Sequence, residues 1–289
     1  MPNYMMVIFT FRRNIMIELK HVSFSYDDKH KILDDVSMKF GEDNHSVIGV
    51  IGHNGAGKST LFLNLVGELK PTSGEILVDG HKVDYSKKGL RSLRRKVGIV
   101  FQNSDQQIFY SIVKDDVAFA LRNLKVSNDE VSQRVEKVLR ELDISKLKDR
   151  PIQYLSGGQK KRVAIAGIMV IGSEWILLDE PTSGLDPDGR LRMKKLIKKL
   201  VANGQKIILS SHDMDFMYEV CDYFYLLGNS KIIKEGNRET VFNNEELLKE
   251  NNLEQPWLVK IHQKLGLPLY HSEEELFANQ GKKTHIKEL

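Results

Sequence analysis

The stretch Gly52-His-Asn-Gly-Ala-Gly-Lys58-Ser59-Thr60 constrains this chain more than any other. It satisfies every fixed position of the phosphate-cradling pattern G-x-x-x-x-G-K-[ST]. Gly52, Gly55 and Gly57 permit a tight curl in which successive backbone N–H groups converge on one anion. Lys58 adds positive charge near the outer phosphates, and the Ser59 hydroxyl is an oxygen ligand for magnesium. The apolar run Val47-Ile-Gly-Val-Ile51 precedes the loop, and the amphipathic stretch Leu61 to Leu69 follows it. That strand, loop and helix order distinguishes a nucleotide site from a plain glycine-rich turn. The chain is therefore expected to bind a nucleoside triphosphate.

Composition narrows the class. At 289 residues there is room for one large domain with an appendage, or for two domains. A hydrophobic share of 41% beside 28% charged residues is the balance of a globular chain with a real core. The net charge of +4 is modest for this length and gives no strong reason to invoke nucleic acid. One cysteine, Cys221, cannot form an internal disulfide, which suits a reducing compartment. The longest apolar run, Val163 to Ile171, falls far short of the ~20 residues of a membrane span. The chain is thus not itself expected to be a channel. Near the start, apolar Met5 to Phe11 comes before the basic pair Arg12-Arg13, the reverse of a secretory signal. Residues 1–15 read as a floppy extension or an early start site, ahead of Met16.

Ile17 to Phe24 and Ile32 to Phe40 alternate like strands, with Tyr26 in the charged loop between them. Two readings stand for Tyr26: edge packing, or stacking on a flat base. Glu75 to Val83 reads as a hairpin closed at Asp79-Gly80. The strand Val97 to Phe101 ends at Gln102, Trp175 to Leu178 ends in Asp179-Glu180, and Lys206 to Ser210 leads to His212. From about 103 to 165 the pattern is helical, interrupted by Pro151, with Val131, Val135, Val138, Leu139 and Leu142 on one face. On a basic helix from Arg190 to Leu200, Arg190, Lys194 and Lys198 share a face expected to be solvated.

In a parallel α/β sheet, ligands bind outside the carboxyl ends of the strands. The phosphate loop, Gln102, Asp179-Glu180 and His212 should therefore converge on a terminal phosphate, an arrangement that points to hydrolysis. Asp179 suits a magnesium ion, directly or through water. Glu180 suits an attacking water, with His212 and Gln102 holding that water and sensing the phosphate. Leu155-Ser156-Gly157-Gly158-Gln159 opens a further helix with a capping box. Two glycines in its first turn weaken that helix by ~1 kcal/mol each, but they allow close approach of another group. A helix N-terminus with bare N–H groups is a second phosphate site. Lying far from the first in sequence, it suggests service to a neighbouring molecule.

Together these motifs resemble the ATP-binding cassette (ABC) ATPases. Gly52 to Thr60 is similar to their Walker A loop, Gln102 to the Q-loop and Leu155 to Gln159 to the signature. Ile176 to Glu180 corresponds to Walker B with the catalytic glutamate, Ser183 to Asp186 to the D-loop and His212 to the switch histidine. The resemblance implies an α/β P-loop NTPase fold, an ABC nucleotide-binding domain over 16–244, with a helical signature subdomain at about 103–165 and a C-terminal extension over 245–289. It implies ATP and Mg2+ as ligands. ATP would contact Tyr26, Asn54, Gly55, Ala56, Gly57, Lys58, Ser59 and Thr60, with Ser156, Gly158 and Gln159 contributed by a second subunit in a head-to-tail dimer. Ser59, Gln102 and Asp179 would hold magnesium, and Glu180, His212 and Gln102 would serve catalysis.

Within that family, Val97 to Gln107, Asp115 to Phe119 and Lys160 to Gly167 resemble the ATPases of energy-coupling factor (ECF) importers. Ser104 stands where proline is usual. Asp84 to Leu90 is similar to the cobalt and nickel branch. Leu253 to Trp257 and Leu265 to Pro268 are similar to the family's C-terminal extension, which contributes to dimerisation. The resemblance implies a homodimer, or a heterodimer with a paralogous ATPase, on the cytoplasmic face of the membrane. It also implies a transmembrane coupling subunit and a substrate-binding membrane subunit as partners. The chain's nine histidines and single cysteine form no close set of soft ligands, so the cargo metal is not expected to be held here. A GTPase would carry Asn-Lys-x-Asp, which does not occur, and a two-cassette translation factor would repeat each motif. The DNA-repair cassettes need a long coiled-coil insertion for which this length leaves no room. The alternatives within transport are an ECF vitamin importer or another ABC importer. The apolar residues Leu253, Trp257, Leu265 and Leu267 of the extension can pack on the cassette or on a partner's tail, and the partner's tail is the favoured expectation.

Overall fold

Two sheets carry the phosphate loop and the strand ends around it. The computed structural model describes residues 15–27, 29–42 and 45–284. The expected extension 1–15 therefore lies outside the described residues, apart from Ile15. In chain order, β1 (Ile17–Ser25) and β2 (Lys31–Phe40) pair antiparallel, with Ile17 opposite Phe40. β3 (Val47–Ile51) leads through the phosphate loop into α1 (Lys58–Leu65). β4 (Ser73–Val78) and β5 (His81–Lys82) form the expected hairpin, with Asp79 at φ 54° and Gly80 at φ 76°. Two successive left-handed residues match the right-handed twist of the flanking strands, which is why Asp-Gly closes hairpins. These strands complete a four-stranded sheet of order β2-β1-β4-β5.

α2 (Lys87–Lys96) then delivers the chain to β6 (Val97–Val100). The helical region follows as α3 (Val113–Asn123), α4 (Asn128–Glu141) and α5 (Gly157–Met169). On α4 the expected face is buried: Val131, Val135, Val138 and Leu139, with Leu142 just beyond, pack into one cluster. β7 (Trp175–Asp179), α6 (Pro187–Ala202), β8 (Lys206–Ser211), α7 (Met214–Val220), β9 (Tyr223–Gly228) and β10 (Lys231–Gly236) complete the second sheet and its cover. Its order is β10-β9-β3-β8-β7-β6, parallel except for β10.

This sheet is apolar on both faces because layers cover both. Val47 and Ile51 of β3 and Ile176 and Leu178 of β7 join the core beneath the helical region and α6. Ile48, Val50, Trp175 and Leu177 join the core shared with the antiparallel sheet and α1. Such strands read as continuous apolar runs rather than alternating ones. Trp175 is fully buried and still satisfies its indole, whose Nε1–H donates to the Ile15 carbonyl at 2.9 Å.

Two expectations require correction. Lys194 is not solvated: it is buried on α6, where it pairs with Glu219 of α7 and, at 2.9 Å, with Glu274 of α11 (Glu273–Thr284). The extension after residue 244 runs through α9 (Glu245–Glu250) and α10 (Trp257–Leu265), following α8 (Arg238–Phe242). Its apolar residues pack mainly on their own chain. Leu253 and Leu258 are buried in the main core, and Trp257 packs against it with its backbone N–H donating to Asp215 at 2.8 Å. Leu267 is half-buried, whereas Leu265 is 68% exposed.

This packing sets an expected contrast in stability. Leu258, at 2% exposure, should cost ~2–5 kcal/mol when truncated to alanine. Leu265→Ala should change stability by no more than ~0.5 kcal/mol. Urea denaturation of the two variants checks this; equal losses would show that the extension does not dock as described.

Candidate functional site

The phosphate loop is built from backbone that only some residues tolerate. Gly55 and Gly57 sit at φ 85° and 103°, in the left-handed region. A Cβ on Gly57 would stand 2.9 Å from the Ile32 carbonyl, and one on Gly52 only 2.4 Å from the Leu227 carbonyl. Ala56 is buried and its N–H donates to the His53 carbonyl at 3.1 Å, while Asn54, Gly55 and Ser59 are exposed along the loop. Lys58 is buried and donates to the carbonyls of Gly52 at 2.7 Å and His53 at 3.2 Å. Burial pulls its pKa below the usual lysine value, against the pull of Glu180 and Asp179. The Thr60 hydroxyl shares a hydrogen bond of 3.3 Å with the Tyr26 hydroxyl. Tyr26 packs edge-on to Phe24 at 4.9 Å and remains 62% exposed. The edge-packing reading is thus realised, and the exposed area leaves room for a base.

The strand ends converge because β3, β8, β7 and β6 lie side by side and parallel. At the end of β7, Asp179 Oδ1 accepts the Ser210 hydroxyl at 2.5 Å. Glu180 is buried beside it, with Oε2 accepting from Ser211 Oγ at 3.2 Å and from His212 Nδ1–H at 2.9 Å. That bond leaves the His212 Nε2 for another partner. Glu180 Oε1 is buried with no hydrogen-bond donor, and Lys58 Nζ stands 3.6 Å away. The Glu180 backbone sits at φ 47°, a left-handed conformation that is uncommon outside glycine and recurrent where geometry serves a site. Gln102 Nε2 donates to Ser183 Oγ at 3.1 Å, so Gln102 meets the turn that follows Glu180.

Ser156, Gly158 and Gln159 are not brought to this centre. The Ser156 hydroxyl accepts from the Gln159 N–H at 3.4 Å, and the Gln159 Oε1 accepts the Ser156 N–H at 3.0 Å, closing the expected capping box. They line a separate cavity of about 700 Å³ with Gly184, Leu185 and Asp186, and no residue from Gly52 to Thr60 borders it. An added Cβ at Gly157 or Gly158 would meet nothing within 4 Å. The glycines therefore keep this helix end open rather than relieving an internal clash.

Sequence reasoning missed three contributors. Ser210 and Ser211 sit at the end of β8, directly before His212, and place hydroxyls on both carboxylates. Lys161, buried on α5, donates to the carbonyls of Glu180, Pro181 and Ser183, and burial lowers its pKa to about 8. A polar pair at the end of an apolar strand was a legible signal for the serines. Lys161 offered none within the run Lys160-Lys161-Arg162.

These residues fit a triphosphate with magnesium. Gly55 and Gly57 hold the loop in a left-handed curl, a buried ammonium adjoins it, and one carboxylate oxygen is buried without a donor. Ser59, Gln102 and Asp179 supply the oxygen donors that magnesium prefers.

A parallel sheet whose strand ends gather a phosphate loop and two carboxylates, with a capped glycine-rich helix start held apart, defines a nucleotide-hydrolysing cassette. Residues 33–183 match the family described as ABC transporter, and the chain belongs to the ATP-binding proteins of that family, which are ATPases coupled to transport. It is 45% identical over 267 residues to a cobalt import ATP-binding protein, CbiO, of Salmonella paratyphi A, covering 92% of this chain and 97% of the relative. It is 43% identical over 241 residues to the energy-coupling factor transporter ATP-binding protein EcfA of Methanocaldococcus jannaschii, covering 83% and 86%. Among solved structures, CbiO1 from Clostridium perfringens, described as part of the ABC transporter complex CbiONQ, superposes with a TM-score of 0.75 at 38% identity. That match covers 87% of this chain and 100% of CbiO1.

The serine pair supplies a direct check on the geometry. Ser210→Ala removes the hydroxyl that donates to Asp179 and also accepts from the Glu180 N–H at 3.2 Å, in a fully buried setting. Stripping a buried charged group of its donor should lower stability by ~1–3 kcal/mol, read as a lower urea midpoint. An unchanged midpoint would mean that Asp179 is held by other groups.

Proposed function

We propose that this chain is the ATP-hydrolysing subunit of an energy-coupling factor importer, energising uptake of cobalt or nickel ions through membrane subunits. The observation that carries the catalytic half is Glu180. One carboxylate oxygen is held by His212 and Ser211, while the other is buried without a donor beside Lys58. An oxygen in that condition is an acceptor for a proton of an attacking water. Loop N–H groups and Lys58 bind the β- and γ-phosphates, and Lys58 offsets charge developing on the γ-phosphoryl group. Magnesium, when bound, neutralises phosphate charge and would be held by Ser59, Asp179 and Gln102. His212 keeps the Glu180 carboxylate oriented, and Gln102 reports phosphate occupancy to the turn at Ser183. Tyr26 stacks on the adenine.

A head-to-tail dimer is the reading that the separation of the two surfaces supports. Ser156, Gly158 and Gln159 border a cavity shared with the D-loop, away from the phosphate loop of the same chain. Each ATP is therefore enclosed between one subunit's phosphate loop and the other's signature helix. The exposed Leu265 and Phe277 of the extension are available to a partner's tail. Transport through membrane partners is supported by the relatives' names and by CbiO1 belonging to a CbiONQ complex. Among the described residues no helix is long and apolar enough to cross a membrane. Cobalt or nickel is favoured over a vitamin by the Asp84 to Leu90 segment and by the relative named for cobalt import.

Glu180→Gln tests the catalytic reading. The amide keeps the shape but not the basicity, so turnover should fall by about 10²–10⁴-fold while ATP affinity changes little. The variant should remain dimeric with ATP on size-exclusion chromatography; wild-type turnover would sink the assignment. The cargo has its own test in cells. Deleting the gene should abolish high-affinity uptake of radioactive cobalt or nickel. Intact metal uptake together with lost vitamin uptake would move the protein to the vitamin branch and leave the ATPase reading standing.

A further inference from the structure

Lys161 is a buried charge that the hydrolysis scheme above does not use. It lies on α5 two residues beyond Gln159, and only 5% of it is exposed. An ammonium has three N–H donors. Here its Nζ contacts three carbonyls: Pro181 at 2.6 Å, and Glu180 and Ser183 at 3.3 Å each. Among the described residues it forms no salt bridge with a carboxylate. Burying a cation whose contacts are all carbonyls is costly, with the charge of Glu180 offsetting part of that cost through space, and a buried apolar side chain would fill the same volume without it. What the ammonium supplies is direction, since it draws three carbonyls of one short turn toward a single point.

That turn begins at the proposed catalytic base. Glu180 is left-handed, and such a conformation persists in a non-glycine residue only where the surroundings over-determine it. Its N–H is held from β8 by Ser210, through the carbonyl at 3.1 Å and the hydroxyl at 3.2 Å. Its C=O is held from α5 by Lys161 and from within the turn by the Ser183 N–H at 3.1 Å. The two sides together fix where the Glu180 side chain leaves the backbone. Ser183 also receives Gln102, so one turn gathers α5, the Q-loop residue and the base.

We propose that Lys161 is a positioning residue for ATP hydrolysis: it fixes the Glu180–Ser183 turn to the helix that carries Ser156–Gln159. The inference rests on the reading of Glu180 as the base and of the signature helix as the surface that receives the facing subunit's ATP. A phosphate docking at the start of α5 then bears on the base of the opposite site through one rigid helix and one side chain. Lys161 itself touches neither nucleotide.

The test uses the full chain with Lys161→Met and Lys161→Gln, each alone and combined with Glu180→Gln. Displacing a reacting group by about an ångström costs up to roughly 10²-fold in rate, so kcat in Lys161→Met should fall about 10–100-fold. The KM for ATP and the affinity for a fluorescent ATP analogue should stay within about threefold, the pattern of an interaction acting on the chemical step. In the Glu180→Gln background, single-turnover hydrolysis followed over hours should show no further loss from Lys161→Met, because residues acting through one another are not additive. Lys161→Gln keeps amide donors on a shorter arm and should fall between wild type and Lys161→Met. It also decides the matter if the methionine variant does not fold. Wild-type kcat in both Lys161 variants would overturn the proposal, as would an equal fold-loss with and without Glu180. Full turnover in Glu180→Gln alone would overturn the reading of the base and this inference together.

Discussion

The parallel pairing of β3, β8, β7 and β6 is the constraint on which the site depends. In a parallel ladder all carboxyl ends emerge on one edge, so residues far apart in sequence become neighbours without long side chains reaching across. Val47 pairs with Ile207 and Asp179 with Ser210, and this register alone brings Ser210 to Asp179 and Ser211 to Glu180. A slip of one residue would turn the apolar side chains of these strands to the wrong layers and move both hydroxyls away from the carboxylates. Packing against two apolar layers thus specifies the chemistry indirectly, by fixing register.

Burial of positive charge is the second theme. Lys58, Lys161 and Lys194 are all nearly inaccessible, and each is compensated differently. Lys58 has two carbonyls and a nearby carboxylate, Lys161 has carbonyls alone, and Lys194 has two carboxylates. The set grades from a cation left partly available to an anion to one fully neutralised within the fold. Only the first lies in the glycine-rich loop proposed to take phosphate.

Much of this was legible in the sequence wherever a polar residue ends an apolar run. Gln102, Asp179, Glu180 and His212 stood out on that basis, and the strand–loop–helix order around Lys58 fixed the fold class. The faces of β3 and β7 were not legible, because strands covered on both sides carry no alternation. Lys161 was hidden for a different reason. In Lys160-Lys161-Arg162, Lys160 is half-buried and pairs with exposed Asp105, and half-buried Arg162 donates to the Leu142 carbonyl, while only the middle residue is fully buried. Helical phase separates them, and charge type does not. Lys194 was misread likewise, since its partners Glu219 and Glu274 are remote in sequence. The apolar residues of the extension looked like partner anchors because local pattern cannot reveal that the chain turns back on its own core.

The position of β3 in its sheet bears on how the molecule assembles during synthesis. β3 (Val47–Ile51) leads into the phosphate loop, yet its two neighbours, β8 and β9, begin only at Lys206 and Tyr223. The loop therefore leaves the ribosome well before the two strands that flank it. Contacts of such sequence separation form slowly, and chains that depend on them expose apolar strand edges in the meantime. A nucleotide that needs the finished cradle cannot assist the early steps, and it can trap the protein only once β3 is enclosed. Nucleotide occupancy then becomes a signature of completed folding, and the resting concentration of ATP in a cell stabilises mature chains selectively over nascent ones.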